Sequence, residues 1–183
     1  MSDAGKTVEI ECVDSKTMYR NRWMHVREDA VRRADGSAGV FGVVEKADFA
    51  VIVAVHDGAL VMVEQYRYPI GQRSVEFPQG SWERGPDPLA LARAELREET
   101  GMLAATMRHA GRLHLAAGFC TQAYDIYLAA DLTQGEAALE PEEQGLIARL
   151  VPLAQVEADL RAGVITDATT VAAFGLLRLK GLI

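Results

Sequence analysis

Cysteine is scarce in this sequence: 183 residues contain two, Cys12 and Cys120, far apart and without CxxC spacing. That excludes a disulfide framework and a zinc ribbon and points to a reducing compartment, for which the cytoplasm is the default. Basic residues are outnumbered, 19 Lys+Arg against 26 Asp+Glu for a formal charge of −7. The basic field of a nucleic-acid binder is therefore missing. No apolar run approaches the roughly 18 residues that would cross a bilayer. The first 16 residues alternate charge and apolarity, unlike the apolar block of a secretion signal. The four histidines, His25, His56, His109 and His114, form no HExxH pair, which argues against a zinc hydrolase. What is present is balance: 49% hydrophobic and 25% charged residues, enough apolar surface to fill a core. The length suits one domain with a modest appendage.

Residues 1–45 read as short strands with polar breaks. Thr7–Val13 and Trp23–Arg27 alternate, Ala34-Asp35-Gly36 signals a turn, and Gly39–Glu45 returns. This predicts a small antiparallel sheet, too small to stand alone, that packs on the main body or on another chain. Phe49–Val55 and Ala59–Gln65, joined by His56-Asp57-Gly58, read as a hairpin at the centre of a sheet covered on both faces. Arg73–Phe77 adds a further strand. A helix follows, with Asp87 at its N-cap, Pro88 at its first position, Gly101 at its C-terminal cap and Leu89, Ala92 and Leu96 as its apolar stripe. Strands are expected at 109–116, 124–130 and 146–151, and helices at 153–162 and 167–179.

The first helix carries the chemistry. Glu95, Glu98 and Glu99 stand at i, i+3 and i+4, so three carboxylates share one turn. Arg93 and Arg97 project from the far side of the stripe and are not i,i+4 partners for them. Like charges at this spacing repel, and in the C-terminal half of a helix the dipole also disfavours anions. Two readings follow: a solvated acidic face, or a grip on a hard cation such as Mg²⁺.

The segment resembles the signature of the Nudix hydrolase family, G-x5-E-x7-R-E-U-x-E-E-x-G-U with U a bulky apolar residue. Gly80, Glu95, Leu96, Glu98, Glu99, Gly101 and Met102 meet the pattern, whereas Pro86 and Ala94 stand where it has Glu and Arg. Val63–Pro69, Glu76–Gly80, Ala117–Gln122 and Ile165–Thr170 look like the ADP-ribose pyrophosphatase-like branch.

That resemblance implies an α+β fold, an α/β/α sandwich with a mixed central sheet over 46–183, beside a small N-terminal antiparallel sheet over 1–45 that serves dimerisation. It implies a metal-dependent hydrolase that cleaves the pyrophosphate of a nucleoside diphosphate sugar, ADP-ribose or a relative, as a cytoplasmic homodimer with no membrane or nucleic-acid partner. Mg²⁺ or Mn²⁺ would be held by Glu95 and Glu99 with Glu98 alongside, and by the backbone carbonyl near Gln79. Glu98, Glu142 and Glu143 are the catalytic candidates. Glu142 and Glu143 read equally as solvated loop acids, with Gln144 where a carboxylate is expected. Arg67 would grip a phosphate or the terminal ribose, Trp82 would stack on a sugar or base or else pack on the helix, and Gln122 joins the substrate-binding set. Trp23 and Tyr19 are further stacking candidates, and Cys120 reads as a small buried residue. Because Pro86 and Ala94 depart from the pattern, a binding or regulatory module with weak or no catalysis is the alternative; Glu83 is the residue that would reach in for the missing Glu.

Overall fold

A computed structural model describes residues 8–81, 87–139 and 141–183, with the backbone alone at Glu142. Trp82, Glu83 and Pro86 therefore lie outside the described residues. The chain divides into two units, 1–47 with 114–122, and 48–113 with 123–183.

The first unit holds a three-stranded antiparallel sheet of β1 (Ile10–Arg20), β2 (His25–Arg33) and β3 (Ala38–Glu45), in that order. Every residue of β1 is exposed. The expected small antiparallel sheet is present, but its strands are longer than expected, β1 running on to Arg20 and β2 to Arg33. The polar residues Asp14 to Thr17 are accommodated through register shifts between Cys12 and Asp14 and between Thr17 and Tyr19, the local irregularity that a β-bulge allows. The 114–122 segment joins this unit through Val44, whose N–H donates to the Phe119 carbonyl at 2.8 Å.

The second unit is built on β4 (Phe49–His56), β5 (Ala59–Arg67), β6 (Gln72–Glu76), β7 (Gln79–Ser81), β8 (Met102–His114), β9 (Ala123–Gln134) and β10 (Ile147–Pro152). The strand order is β10-β5-β4-β9-β8, with β6 paired to β5 and β7 to β4. β4 and β9 run parallel while β4 and β5 are antiparallel, so the sheet is mixed. Three helices, α1 (Pro88–Thr100), α2 (Leu153–Ala162) and α3 (Ala168–Leu179), complete the unit.

Alternation along β4 explains the layering, because successive strand residues face opposite sides. Val51 and Val53 pack with Val156 of α2 and Ala173, Phe174 and Leu177 of α3. Ala50, Ile52 and Ala54 pack with Leu91, Ala92 and Leu96 of α1. A strand buried on both faces is written as a continuous apolar run, and Phe49–Val55 is such a run. The outcome is the expected α/β/α sandwich.

Three local expectations need correction. Asp87 occupies the N-cap of α1, but its side chain makes no capping hydrogen bond; Pro88, which has no N–H to satisfy, begins the helix. Strand β8 starts at Met102, directly after the helix cap, and not near residue 109. Its first half is small and weakly alternating (Ala104, Ala105, Thr106), as befits a strand at the end of the sheet order, covered by β9 on one edge alone. Cys120 is half-buried and not in a core.

Candidate metal centre

The site grows from a meeting of α1 with the short strand β7. Gly101 ends the helix at φ 75°, with its N–H on the Arg97 carbonyl at 2.8 Å. Leu91, Ala92 and Leu96 sit on the sheet, with Leu91 buried where Leu89 was expected and Leu89 only partly buried beside them, and this rotation brings Glu95 and Glu99 to β7. The Gln79 N–H donates to Glu99 Oε2 at 3.2 Å. One residue on, a Cβ on Gly80 would overlap Cδ and both carboxylate oxygens of Glu95, so only glycine lets the Glu95 carboxylate occupy that space.

A 3-10 turn at Pro141–Glu143 brings Glu143 to the same place. Each of Glu95, Glu99 and Glu143 offers a carboxylate oxygen, and these three atoms lie within 4.8 Å of one another. Glu99 is 3% exposed. Its burial, then repulsion from Glu95 and Glu143, push its carboxyl up to about 9, against the Gln79 hydrogen bond and the attraction of Arg67. Three oxygens converging at such a cost to ionisation form the donor set a hard divalent cation takes. The residues present fit that ion.

Glu98 is outside this trio; its carboxylate stands 3.9 Å from Arg97 Nη2. The i, i+3, i+4 spacing is correct for the helix, yet the strand approaches only the Glu95 and Glu99 side of it. The Glu142 side chain lies outside the described residues.

Arg67 ends β5 and is committed to a carboxylate of this chain. Its Nε donates to Glu76 Oε1 at 2.9 Å and to Oε2 at 3.2 Å, and its Nη2 also reaches Oε2. Glu76 is 2% exposed. Burial alone would raise the Glu76 carboxyl, but the Arg67 guanidinium, with Ser74 and Gln79, holds it below the ordinary carboxylate range. Gln79 Nε2 donates to Glu76 Oε2 at 2.7 Å.

Gln122 is buried in the other unit, where its Nε2 donates to the Ala47 carbonyl at 2.5 Å. Trp23 and Tyr19 are exposed there, with the Arg22 guanidinium 4.3 Å from the centroid of the Trp23 ring.

Sequence reasoning missed two participants. Glu76 opens the Glu76–Gly80 motif, and an acid between Val75 and Phe77 at the end of a strand is the signal that marks it. Thr170 accepts the Phe77 N–H at 3.0 Å, while its own N–H is capped by Asp167 at 2.8 Å. The helix-start pattern at 166–167 marked the cap but not the second bond, which joins residues 93 apart in the chain.

Two family models match this chain. A family model described as the NUDIX domain matches residues 45–174, and one described as the nucleoside diphosphate sugar hydrolase N-terminal domain matches residues 10–44. The ADP-ribose pyrophosphatase of Mycobacterium tuberculosis (strain ATCC 25618 / H37Rv) is 32% identical over 167 residues, which are 90% of this chain and 81% of that protein. The methanol dehydrogenase activator of Bacillus methanolicus is 29% identical over 179 residues, 96% of each chain. A crystal structure described as an ADP compounds hydrolase shares the fold at a TM-score of 0.84 and 22% identity, covering 98% of this chain and 100% of its own.

Proposed function

This chain belongs to the Nudix family, and we propose that it hydrolyses the pyrophosphate of a nucleoside diphosphate sugar, ADP-ribose foremost, using Mg²⁺ or Mn²⁺. The observation that carries this reading is the convergence of Glu95, Glu99 and Glu143 within 4.8 Å. In the proposal Glu95 and Glu99 hold the ion, with the Gln79 carbonyl as a further ligand, and Glu98, which stands beside Arg97, is not in the ligand set. When bound, the ion supplies neutralisation of the diphosphate charge and polarisation of a phosphoryl oxygen.

Glu143, with Glu142 as the other candidate, takes the proton of the attacking water. The water oxygen bonds to one phosphorus, the bond from that phosphorus to the bridging oxygen breaks, and the bridging oxygen leaves on the second phosphate. ADP-ribose would give AMP and ribose 5-phosphate. Arg67 supplies positive charge from the β5 side, and Trp82 is the other proposed substrate contact.

Incubation with Mg²⁺ or Mn²⁺ and a panel of nucleoside diphosphate sugars, read by chromatography of the two monophosphates, tests the reading. No cleavage of any sugar with either ion would sink it. Pro86 and Ala94 favour a second reading, a binding or regulatory module; nucleotide binding by calorimetry without turnover would select it.

The proposal includes a homodimer formed through β1–β3, whose Val13, Met18, Tyr19 and Val40 are each more than half exposed, and a reducing compartment, since both cysteines are free. No helix among the described residues is long and apolar enough to cross a membrane.

A further inference from the structure

We propose that Glu76 is a positioning residue for the ion site: its carboxylate anchors the Gln79 side chain, and through the Gln79 peptide it keeps Glu99 in its ligating orientation. This rests on the metal-dependent reading above and deepens it.

The bend from Glu76 to Gln79 is clamped at every residue. Glu76 accepts from Arg67 and from Gln79 Nε2. The Phe77 N–H goes to Thr170 Oγ1, and the Pro78 carbonyl accepts the Ile52 N–H at 2.9 Å. At the end of this chain of contacts stands the Gln79 N–H, bonded to Glu99 Oε2. Gln79 is thus held by its side chain on Glu76 and holds Glu99 by its backbone.

Packing alone does not call for a carboxylate at position 76. Val75 and Phe77 flank it, Phe77 is fully buried, and a buried ion pair is weak evidence for stability when an apolar group of similar volume serves as well. A carboxylate is needed where two donors, Arg67 and the Gln79 amide, must be fixed together. Groups that orient a first ligand shell carry about 10- to 100-fold in metal affinity or activity.

The test is Mn²⁺ binding to the whole protein, followed by the electron paramagnetic resonance of free Mn²⁺, for wild type, Glu76→Gln, Gln79→Ala and the double variant. Each single variant is expected to raise the Mn²⁺ dissociation constant about 10- to 100-fold. The double variant should be no worse than the weaker-binding single, as for residues acting in one chain of contacts. At saturating Mn²⁺, KM of Gln79→Ala for ADP-ribose should stay within about twofold of wild type, because this variant leaves the Arg67–Glu76 pair in place.

A Glu76→Gln protein that melts earlier but binds Mn²⁺ as wild type does would overturn the proposal and leave Glu76 a structural ion-pair partner. Should Glu76→Gln not fold, Gln79→Ala decides alone: it deletes only the amide, so unchanged Mn²⁺ affinity also overturns the proposal. Wild type that binds no Mn²⁺ would overturn the ion site itself, a result distinct from either.

Discussion

Replacing Glu99 by Gln separates the fold from the ion. Two ionised carboxylates with oxygens no more than 4.8 Å apart repel by at least about 3.5 kcal/mol at an effective dielectric of about 20, and Glu99 faces two such neighbours. In the metal-free protein burial and this repulsion already keep Glu99 protonated at neutral pH, its carboxyl sitting at about 9. The amide introduced by Glu99→Gln is close to isosteric with that neutral acid and would still accept the Gln79 N–H. The metal-free variant should therefore melt within about 2 °C of wild type, since about 1 kcal/mol moves a domain of this size by about 2–4 °C. With ion at a hundred times its dissociation constant, wild type gains about 2.7 kcal/mol, or about 5–10 °C. A hundredfold weaker site at the same ion concentration retains about 0.4 kcal/mol, a shift near 1 °C. The assay is thermal melting by circular dichroism with and without Mn²⁺. A Glu99→Gln protein whose melting temperature still rises by the wild-type amount on adding Mn²⁺ would refute the assignment of Glu99 to the ion.

Gly80→Ala should weaken Mn²⁺ binding at least about tenfold, because the new methyl falls where the Glu95 carboxyl group lies and must displace a ligand from its orientation; a Mn²⁺ titration with wild-type affinity would contradict this. Thr170→Val keeps the volume but leaves the buried Phe77 N–H without its acceptor. The cost should be about 1–3 kcal/mol, measured as an earlier urea midpoint with an unchanged slope. Light scattering at micromolar concentration should report a dimer, and a monomer would remove β1–β3 as the proposed interface.

The sheet was legible because its central strand is buried on both faces and is therefore a plain apolar run, and α1 because Pro88 and Gly101 bracket it. The ends of β8 were not, since Ala104, Ala105 and Thr106 alternate too weakly to mark a face. Within the site, the helix spacing put Glu95, Glu98 and Glu99 on one turn, but which two would face inward depended on β7, a three-residue strand with no periodicity to read. Arg67 illustrates the other limit. Its residue type and motif suggested an anion, and the structure supplies one, but from Glu76 of the same chain. A partner nine residues away across a hairpin-like pairing of β5 with β6 is set by register, which local pattern does not encode.

The departure at Ala94 can be weighed against this geometry. In the family pattern the arginine at that position orients the glutamates, and Arg93 does not replace it here: its Nη1 donates to the Ala104 carbonyl at 2.6 Å. Arg97 stands beside Glu98, not beside Glu99. Yet the three carboxylate oxygens still converge, and two of them are set from the strand side, Glu99 by the Gln79 N–H and Glu95 by the space that Gly80 leaves. Positive charge also arrives from that side, since Arg67 attracts the Glu99 carboxylate across the Glu76 pair. Loss of the helix-borne arginine therefore removes one means of orientation from a site that has another. On this reasoning restoring the arginine, Ala94→Arg, should change Mn²⁺ affinity by less than about tenfold, whereas Gln79→Ala should change it by about tenfold or more. A reversed order in the same Mn²⁺ titration would show that the helix, not the strand, governs the site.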